Sequence, residues 1–188
     1  MAKSKDKRKE AIKKEIWLPE NVSASMDGRF LAVKGQKGEA KREIKQRNIS
    51  IKTEDKKIIL ESKSGKKEDK KIIGSLTAHI KNMIKGSSQN HVYTMKICSG
   101  HFPMNVTVDS SNVMIKNFLG EKVPRKARIL DGVKVQVQGD IILVNGLDKE
   151  KVGQTAATIE QTTRITNKDR RIFQDGCYII SKPGDEND

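Results

Sequence analysis

The chain has 188 residues, which is enough for one domain or two small ones. It carries 38 Lys and Arg against 24 Asp and Glu, and the net charge of +14 favours a polyanion as partner, nucleic acid first. No apolar run reaches the roughly 20 residues of a membrane span, and no apolar signal sequence follows the charged N-terminus. Two cysteines in separate segments fit a reducing compartment, so a cytoplasmic chain that has no membrane anchor is expected.

The two ends of the chain differ in charge. Residues 1–15 are rich in lysine, and such a run is typical of a solvated tail that can order on a polyanion. The last five residues, 184–188, are acidic and are expected to fray.

Residues 16–88 predict strands followed by one helix. Apolar and polar residues alternate over 22–26 and 49–51, as in half-buried strands, and a tight turn at Asp27-Gly28 returns the chain through 30–34. Residues 58–60 form a short apolar strand. The apolar spacing then becomes three and four residues, which predicts a helix that ends with Gly86 as its C-cap.

Residues 89–163 repeat this order. Alternation recurs over 106–108, 113–115 and 133–137, and a Gly139-Asp140 turn leads into an apolar strand over 141–144. Asp148 is a suitable N-cap for a helix that carries Val152, Ala156 and Ile159.

The two halves also match residue by residue. Residues 27–39 align with 109–121, 58–60 with 141–143, and 73–80 with 152–159, in the same order and at nearly constant offset. This pattern indicates an internal duplication. Strands joined by tight turns pair antiparallel, so we predict an α+β fold of two tandem, structurally similar domains, each an antiparallel sheet with one helix packed on a face. Residues 164–188 follow the second unit as a basic extension and an acidic tail.

Sequence motifs for catalysis and metal binding are missing. His79, His91 and His101 are isolated, and no G-x-S-x-G, C-x-x-C or H-x-x-x-H motif occurs. The stretch over 64–67 lacks the upstream glycine of a phosphate-binding loop and is a linker in our interpretation, while the stretch over 35–38 is a hairpin corner. No cofactor and no catalytic residue are therefore expected.

A basic loop spans residues 116–128. Gly120 and Pro124 restrict its backbone, and Phe118 and Leu119 are candidate anchors. An ordered basic loop loses less entropy on binding than a flexible one. Its candidate RNA contacts are Lys116, Lys122, Arg125, Lys126 and Arg128.

A second basic cluster lies between Gln161 and Lys182, around Phe173 and a predicted turn at Asp175-Gly176. No helix has the Arg and Asn spacing that reads duplex DNA, and the aromatic pair of single-strand RNA modules is absent. Binding of a folded RNA by its shape and backbone is favoured. The candidate contacts are Arg164, Lys168, Arg170, Arg171, Tyr178 and Lys182.

This cluster carries a family pattern. Its residues are Gln161, Ile165, Lys168, Arg171, Phe173, Asp175, Gly176 and Tyr178, with Cys177 where an aliphatic residue is usual. With further stretches at 79–84, 101–106, 117–122 and 152–157, the chain resembles the family of large-subunit ribosomal protein six, in its archaeal and eukaryotic form.

The resemblance implies a structural constituent of the large ribosomal subunit that supports assembly and translation. It implies binding to large-subunit rRNA near the sarcin–ricin loop, the stalk base and the translation-factor site. Neighbouring ribosomal proteins and, transiently, translational GTPases would be its partners, with no membrane and no DNA. A free RNA-binding regulator is the alternative, and an RNA-modifying enzyme is a less favoured one.

Overall fold

The computed structural model describes residues 12–46, 48–54, 56–62 and 66–184. Most of the predicted basic tail, part of the 64–67 stretch and the acidic C-terminal residues lie outside the described residues. The chain forms two compact units, Met1–Gln89 and Asn90–Asp188.

The described residues of the first unit form two antiparallel three-stranded sheets and one helix. The sheets have the strand orders β1-β6-β5 and β2-β3-β4. Buried side chains of the helix, among them Ile73, Leu76 and Ile80, join strand residues in one core. The elements are β1 (Lys13–Trp17), β2 (Ser23–Asp27), β3 (Phe30–Gly35), β4 (Gly38–Glu43), β5 (Ile49–Glu54), β6 (Lys57–Ser62) and α1 (Lys67–Gln89).

Tight turns set the strand register of this unit. Asp27 pairs with Phe30 across a two-residue turn in which Gly28 has a left-handed φ of 57°. Gly35 pairs with Gly38, which confirms the hairpin corner. A Cβ on Gly35 would lie 2.6 Å from the carbonyl oxygen of Ser87, so only glycine permits this approach of β3 to α1.

The predicted end of the first helix at Gly86 is wrong. The helix α1 continues to Gln89, and Asn90 follows it with a left-handed φ of 58°. The last turn is held because the Ser87 and Ser88 hydroxyls donate to the carbonyl of Ile84, at 2.9 and 3.0 Å. The Ser87 carbonyl in turn accepts from the backbone N–H of Lys37 at 2.9 Å.

Among the described residues, the second unit has the same order of strands and α-helix as the first, with a short 3-10 helix at Phe118–Gly120 and one strand added. Its sheets have the orders β10-β9-β8 and β11-β12-β7-β13. Asp148 caps α2 as predicted, since its carboxylate accepts from the N–H of Glu150 at 2.9 Å. The elements are β7 (His91–Cys98), β8 (Asn105–Asp109), β9 (Asn112–Lys116), β10 (Arg125–Arg128), β11 (Val133–Gln138), β12 (Ile141–Gly146), α2 (Lys149–Thr162) and β13 (Gly176–Ser181).

The shared order confirms the predicted duplicated α+β fold. Strands β1–β6 and α1 correspond to β7–β12 and α2, and β13 is the strand without a counterpart among the described residues of the first unit. It pairs antiparallel with the edge of β7. Among the described residues, no helix combines the length and the apolar character that crossing a membrane requires.

Candidate nucleic-acid interface

Three predicted contact residues lie on one face of the sheet β10-β9-β8. In this ladder Val113, Ile115 and Ala127 are buried, so the alternate residues of the strands face outward. Lys116, Lys126 and Arg128 therefore share the outward face, and all are exposed. The pairing of Lys126 with Met114 and of Arg128 with Asn112 fixes the spacing of these cations along the strands.

The predicted basic loop over 116–128 is shorter in the structure, because Arg125–Arg128 form β10 and only 117–124 connect the two strands. Phe118 is 1% exposed and packs in the core of the unit. Asn117 adopts a left-handed φ of 59° and donates from Nδ2 to the carbonyl of Pro103 at 3.1 Å. Gly120 also has a positive φ, of 79°, and lies against the Phe102 ring. The exposed Lys122 thus stands on a fixed backbone.

Arg125, also predicted as an RNA contact, points towards the second unit. Its guanidinium donates to both carboxylate oxygens of Glu121 and, at 2.7 Å, to the carbonyl of Thr162 at the end of α2. It also lies 4.2 Å above the centre of the Phe118 ring. The hydrogen bond from Arg125 is the largest cause that lowers the pKa of Glu121. Arg125 therefore ties the basic loop to the segment that follows α2.

Replacing Arg125 with lysine is expected to lower the free energy of unfolding of the second unit by about 1–2 kcal/mol. An ammonium group is unable to reproduce the planar fork that engages Glu121 and Thr162 together. Chemical denaturation measures the change. Arg171→Lys is the control, because that side chain is 89% exposed and should leave stability unchanged. Equal losses in both variants would contradict the inward role of Arg125.

The segment after α2 presents most of the other predicted cations. Arg164, Lys168, Arg170 and Arg171 are exposed, while Ile165 is buried and anchors the backbone. Lys168 Nζ lies 4.7 Å from the centre of the Phe173 ring. The remaining predicted residue at this end of the chain, Lys182, is also exposed.

Asp169 shapes the turn that carries Arg171. Its carboxylate accepts from the Arg171 backbone N–H at 2.9 Å and from the guanidinium at 2.9 and 3.2 Å. These hydrogen bonds lower the pKa of Asp169 and raise that of Arg171. The pair is exposed, so it orients the guanidinium more than it stabilises the fold.

The predicted turn at Asp175-Gly176 is wrong, and a buried carboxylate stands there instead. Asp175 is 1% exposed, and its Oδ1 accepts from the backbone N–H groups of Gly100 and His101 at 2.6 and 3.0 Å. Its Oδ2 lies 2.7 Å from Nδ1 of His101. Burial alone would raise the pKa of Asp175, but the hydrogen bonds from His101 and Gly100 outweigh it and lower the pKa.

His101 joins this network to the basic segment. Its ring stacks on Phe173 with the ring centres 4.7 Å apart, so His101 contacts both Asp175 and Phe173. Three side chains thus hold neighbouring segments together. Asp175 contacts His101 before β8, Asn117 before β10 donates to Pro103, and Arg125 donates to Thr162 at the end of α2. Sequence reasoning missed this network, because its members lie up to 75 positions apart.

Tyr178 is half-buried in the added strand β13. It pairs with Lys96 of β7, an exposed cation that the sequence analysis did not single out. The Tyr178 hydroxyl donates to the carbonyl of Asp175 at 3.4 Å, and burial raises its pKa. The apolar residues Met95 and Ile97 on either side of Lys96 were the local signal that would have placed Lys96 on an outward face.

The outward faces of the two equivalent sheets differ in charge. In the first unit, the face of β2-β3-β4 carries Lys34 and Lys41 together with Asp27, Glu39 and Glu43, and Lys41 pairs with Glu39 at 3.4 Å. In the second unit, the face of β8-β9-β10 carries Lys116, Lys126 and Arg128 with Asp109. Only the second of these two faces has an excess of cations.

Across the described ranges, no group of three or more His, Cys, Asp or Glu side chains is arranged to hold a metal ion. Cys177 is fully buried, and burial raises its pKa to about 12, which keeps it protonated and unreactive.

The comparisons with known proteins agree on one family. A family model described as ribosomal protein L6 matches residues 18–89 and 102–176, one segment in each unit. A protein named large ribosomal subunit protein uL6, from Methanococcus vannielii, is 46% identical over 173 residues, which cover 92% of this chain and 95% of that protein. The protein of the same name from Methanothrix thermoacetophila is also 46% identical over 173 residues, which cover 98% of its length.

Proposed function

The chain belongs to the ribosomal protein L6 family, and from this premise we propose that it is a structural, non-enzymatic constituent of the large ribosomal subunit in the cytoplasm. Its role is to bind large-subunit rRNA and to support assembly and translation.

One observation carries the RNA-binding part of the proposal, the charge difference between the two equivalent sheet faces. The duplication gives both units the same strands, yet acids accompany the lysines in the first unit while Lys116, Lys126 and Arg128 dominate in the second. Cations held in fixed register on a sheet release counterions when they meet phosphates and position the protein on the RNA. The second unit is therefore the main rRNA-binding part of the chain.

The residues that we assign to rRNA contact are those singled out from the sequence, with one change of role. Arg125 positions the loop, because its guanidinium is engaged by Glu121 and Thr162. We retain two repeats followed by the basic extension 164–188, with β1 from Lys13 and α1 to Gln89 included in the first repeat. The direct contacts are Lys116, Lys122, Lys126, Arg128, Arg164, Lys168, Arg170, Arg171, Tyr178 and Lys182, and the exposed Lys96 joins them.

Within the subunit, we place the second unit beside the sarcin–ricin loop, the stalk base and the translation-factor site. The family resemblance of the segment from Gln161 to Lys182 supports this placement. Neighbouring ribosomal proteins would be permanent partners, and translational GTPases would approach transiently.

The salt dependence of rRNA binding tests this proposal. Affinity of the full chain for a large-subunit rRNA fragment should fall linearly with salt on a double-logarithmic plot. Each phosphate that the chain neutralises contributes about 0.7–0.9 to the slope, so the contacts named above predict a steep line. An affinity that does not change between low and physiological salt would overturn the proposal.

A further inference from the structure

The internal duplication places β1 and α1 of the first unit in the same relation as β7 and α2 of the second. Ile16 pairs with the buried Ile58, and the pair with the same burial in the second unit is Met95 with Ile142, so the structure shifts the alignment of 58–60 with 141–143 by one position. On the helices, the buried Ile80 corresponds to the buried Ile159. Ile16 and Met95 are as far apart in the sequence as Ile80 and Ile159. The contacts of β7 and α2 can therefore be compared with those of β1 and α1 residue by residue.

In the second unit, an extra strand covers the edge of β7. The strand β13 pairs with β7 and turns Cys177 and Ile179 towards the core. The other edge of β13 is held by α2 and by Thr163 after it, since the N–H of Ile179 donates to Glu160 Oε1 at 3.2 Å and the N–H of Cys177 donates to Thr163 Oγ1 at 3.0 Å.

In the first unit, the described residues leave the corresponding edge of β1 unpaired. The carbonyl of Ile12 and the N–H of Leu18 bond towards β6. Because hydrogen-bonding direction alternates along a strand, the backbone groups of Lys13, Glu15 and Trp17 point away from β6. Within the ranges that the structure describes, no other backbone group pairs with this edge. Trp17 at its end is 70% exposed.

A groove occupies the place that β13 fills in the second unit. It measures about 480 Å³, room for several side chains, and its walls include Trp17 and Pro19 on one side and Ile84 and Lys85 on the other. Lys81 also lines it, at the position that Glu160 holds on α2. An acceptor of backbone N–H groups is thus replaced by a cation, and Lys85 adds a second one.

We propose that the edge of β1 away from β6 and the groove beside α1 bind an extended, acidic segment of another protein, which adds to the sheet as β13 adds to β7. Strand addition of this kind gains affinity from backbone hydrogen bonds and specificity from alternate side chains. Apolar side chains of the segment would face Ile16 and Ile84, and its carboxylates would meet Lys81 and Lys85.

The charges around the groove favour a peptide over RNA. The outward face of β1-β6-β5 is neutralised by ion pairs, including Glu15 with Lys13 at 2.9 Å and with Lys57 at 3.6 Å. Ile16 and Ile84 also line the groove, and they suit the apolar side chains of a peptide rather than a phosphate backbone. A second copy fits poorly as well, since its β1 would bring Lys13 and Lys14 against Lys81 and Lys85.

The test compares two substitutions at Glu15 in the full chain. Proline there removes an N–H that points away from β6, and proline is tolerated at such an edge position. Alanine removes the same carboxylate and keeps the N–H. The probe is a capped eight-residue peptide that alternates valine with glutamate, and calorimetry measures its affinity. We expect saturable binding to the wild type, a loss of about tenfold or more in Glu15→Pro, and a change below about threefold in Glu15→Ala.

The partner's charge is tested with a lysine-for-glutamate version of the probe. It should bind at least about tenfold more weakly, and Lys81→Ala with Lys85→Ala should abolish that preference. The proposal would be overturned by a lack of saturable binding or by equal losses in the two Glu15 variants. It would also be overturned if the free chain formed dimers through β1 or if single-stranded RNA displaced the probe. The affinity of Glu15→Pro for the rRNA fragment should stay unchanged, so this test is independent of the proposed rRNA contacts.

Discussion

Reversing the charges of Lys116 and Lys126 together, by Lys116→Glu and Lys126→Glu, is expected to lower affinity for large-subunit rRNA by about 100-fold at physiological salt. A loss of that size is about 3 kcal/mol, which two lost phosphate contacts and two new repulsions can supply. Both side chains are exposed on the outward face of β9 and β10, so the fold should be retained. Filter binding over a salt series measures both the affinity and its slope, and the slope should fall by about 2.

The duplication supplies a matched control for this variant. Lys34 and Lys41 hold the equivalent positions on β3 and β4, beside Glu39 and Glu43. The double variant Lys34→Glu with Lys41→Glu changes net charge by the same amount and should leave rRNA affinity within about threefold of the wild type. If both double variants lose affinity equally, total charge rather than the second unit's surface governs binding.

Replacing Asp175 with asparagine is expected to destabilise the second unit by about 3 kcal/mol. The carboxylate is buried and accepts from two backbone N–H groups and from His101, and an amide would turn a donor towards at least one of them. Native-state hydrogen exchange of amides in β7 and β13 reports the loss locally. Asp169→Asn is the matched control on the same segment, and it should change these exchange rates far less because Asp169 is exposed.

The difference in stability between the wild type and Asp175→Asn is expected to depend on pH. The folded-state pKa of Asp175 is lowered, so the carboxylate contributes stability above its ordinary value of 3.8 and loses that contribution as the pH falls through the folded pKa. The stability gap between wild type and Asp175→Asn should therefore be full at neutral pH and narrow on acidification below 3.8. A stability difference that stays constant with pH would show that the Asp175 carboxyl group is not ionised in the folded chain.

Local signals in the sequence were enough for much of the fold. The Asp27-Gly28 and Gly139-Asp140 turns and the Asp148 cap each depend on neighbouring residues, and each is found where expected. The strand β7 was missed although it lies in the middle of its sheet. Its pattern places His91 in the core and exposes Val92, so the usual apolar alternation is disguised.

The candidate site shows where local reasoning ends. The density of Lys and Arg in the sequence located the basic loop and the segment after α2, because a run of cations can be recognised without knowledge of the fold. Charge density alone does not distinguish Arg125, which is engaged by Glu121 and Thr162, from Lys126, which is exposed. Asp175 followed by glycine is a strong local turn signal, and only the distant Gly100 and His101 make it a buried acceptor.

Sedimentation of the tagged chain with large ribosomal subunits tests the central claim most directly. The chain should migrate with the large-subunit peak on a sucrose gradient at physiological salt. The Lys116→Glu and Lys126→Glu double variant should shift towards the top of the gradient, while the Lys34→Glu and Lys41→Glu control stays with the subunit. Wild-type chain that remains in the free fraction while large subunits are present would contradict the assignment.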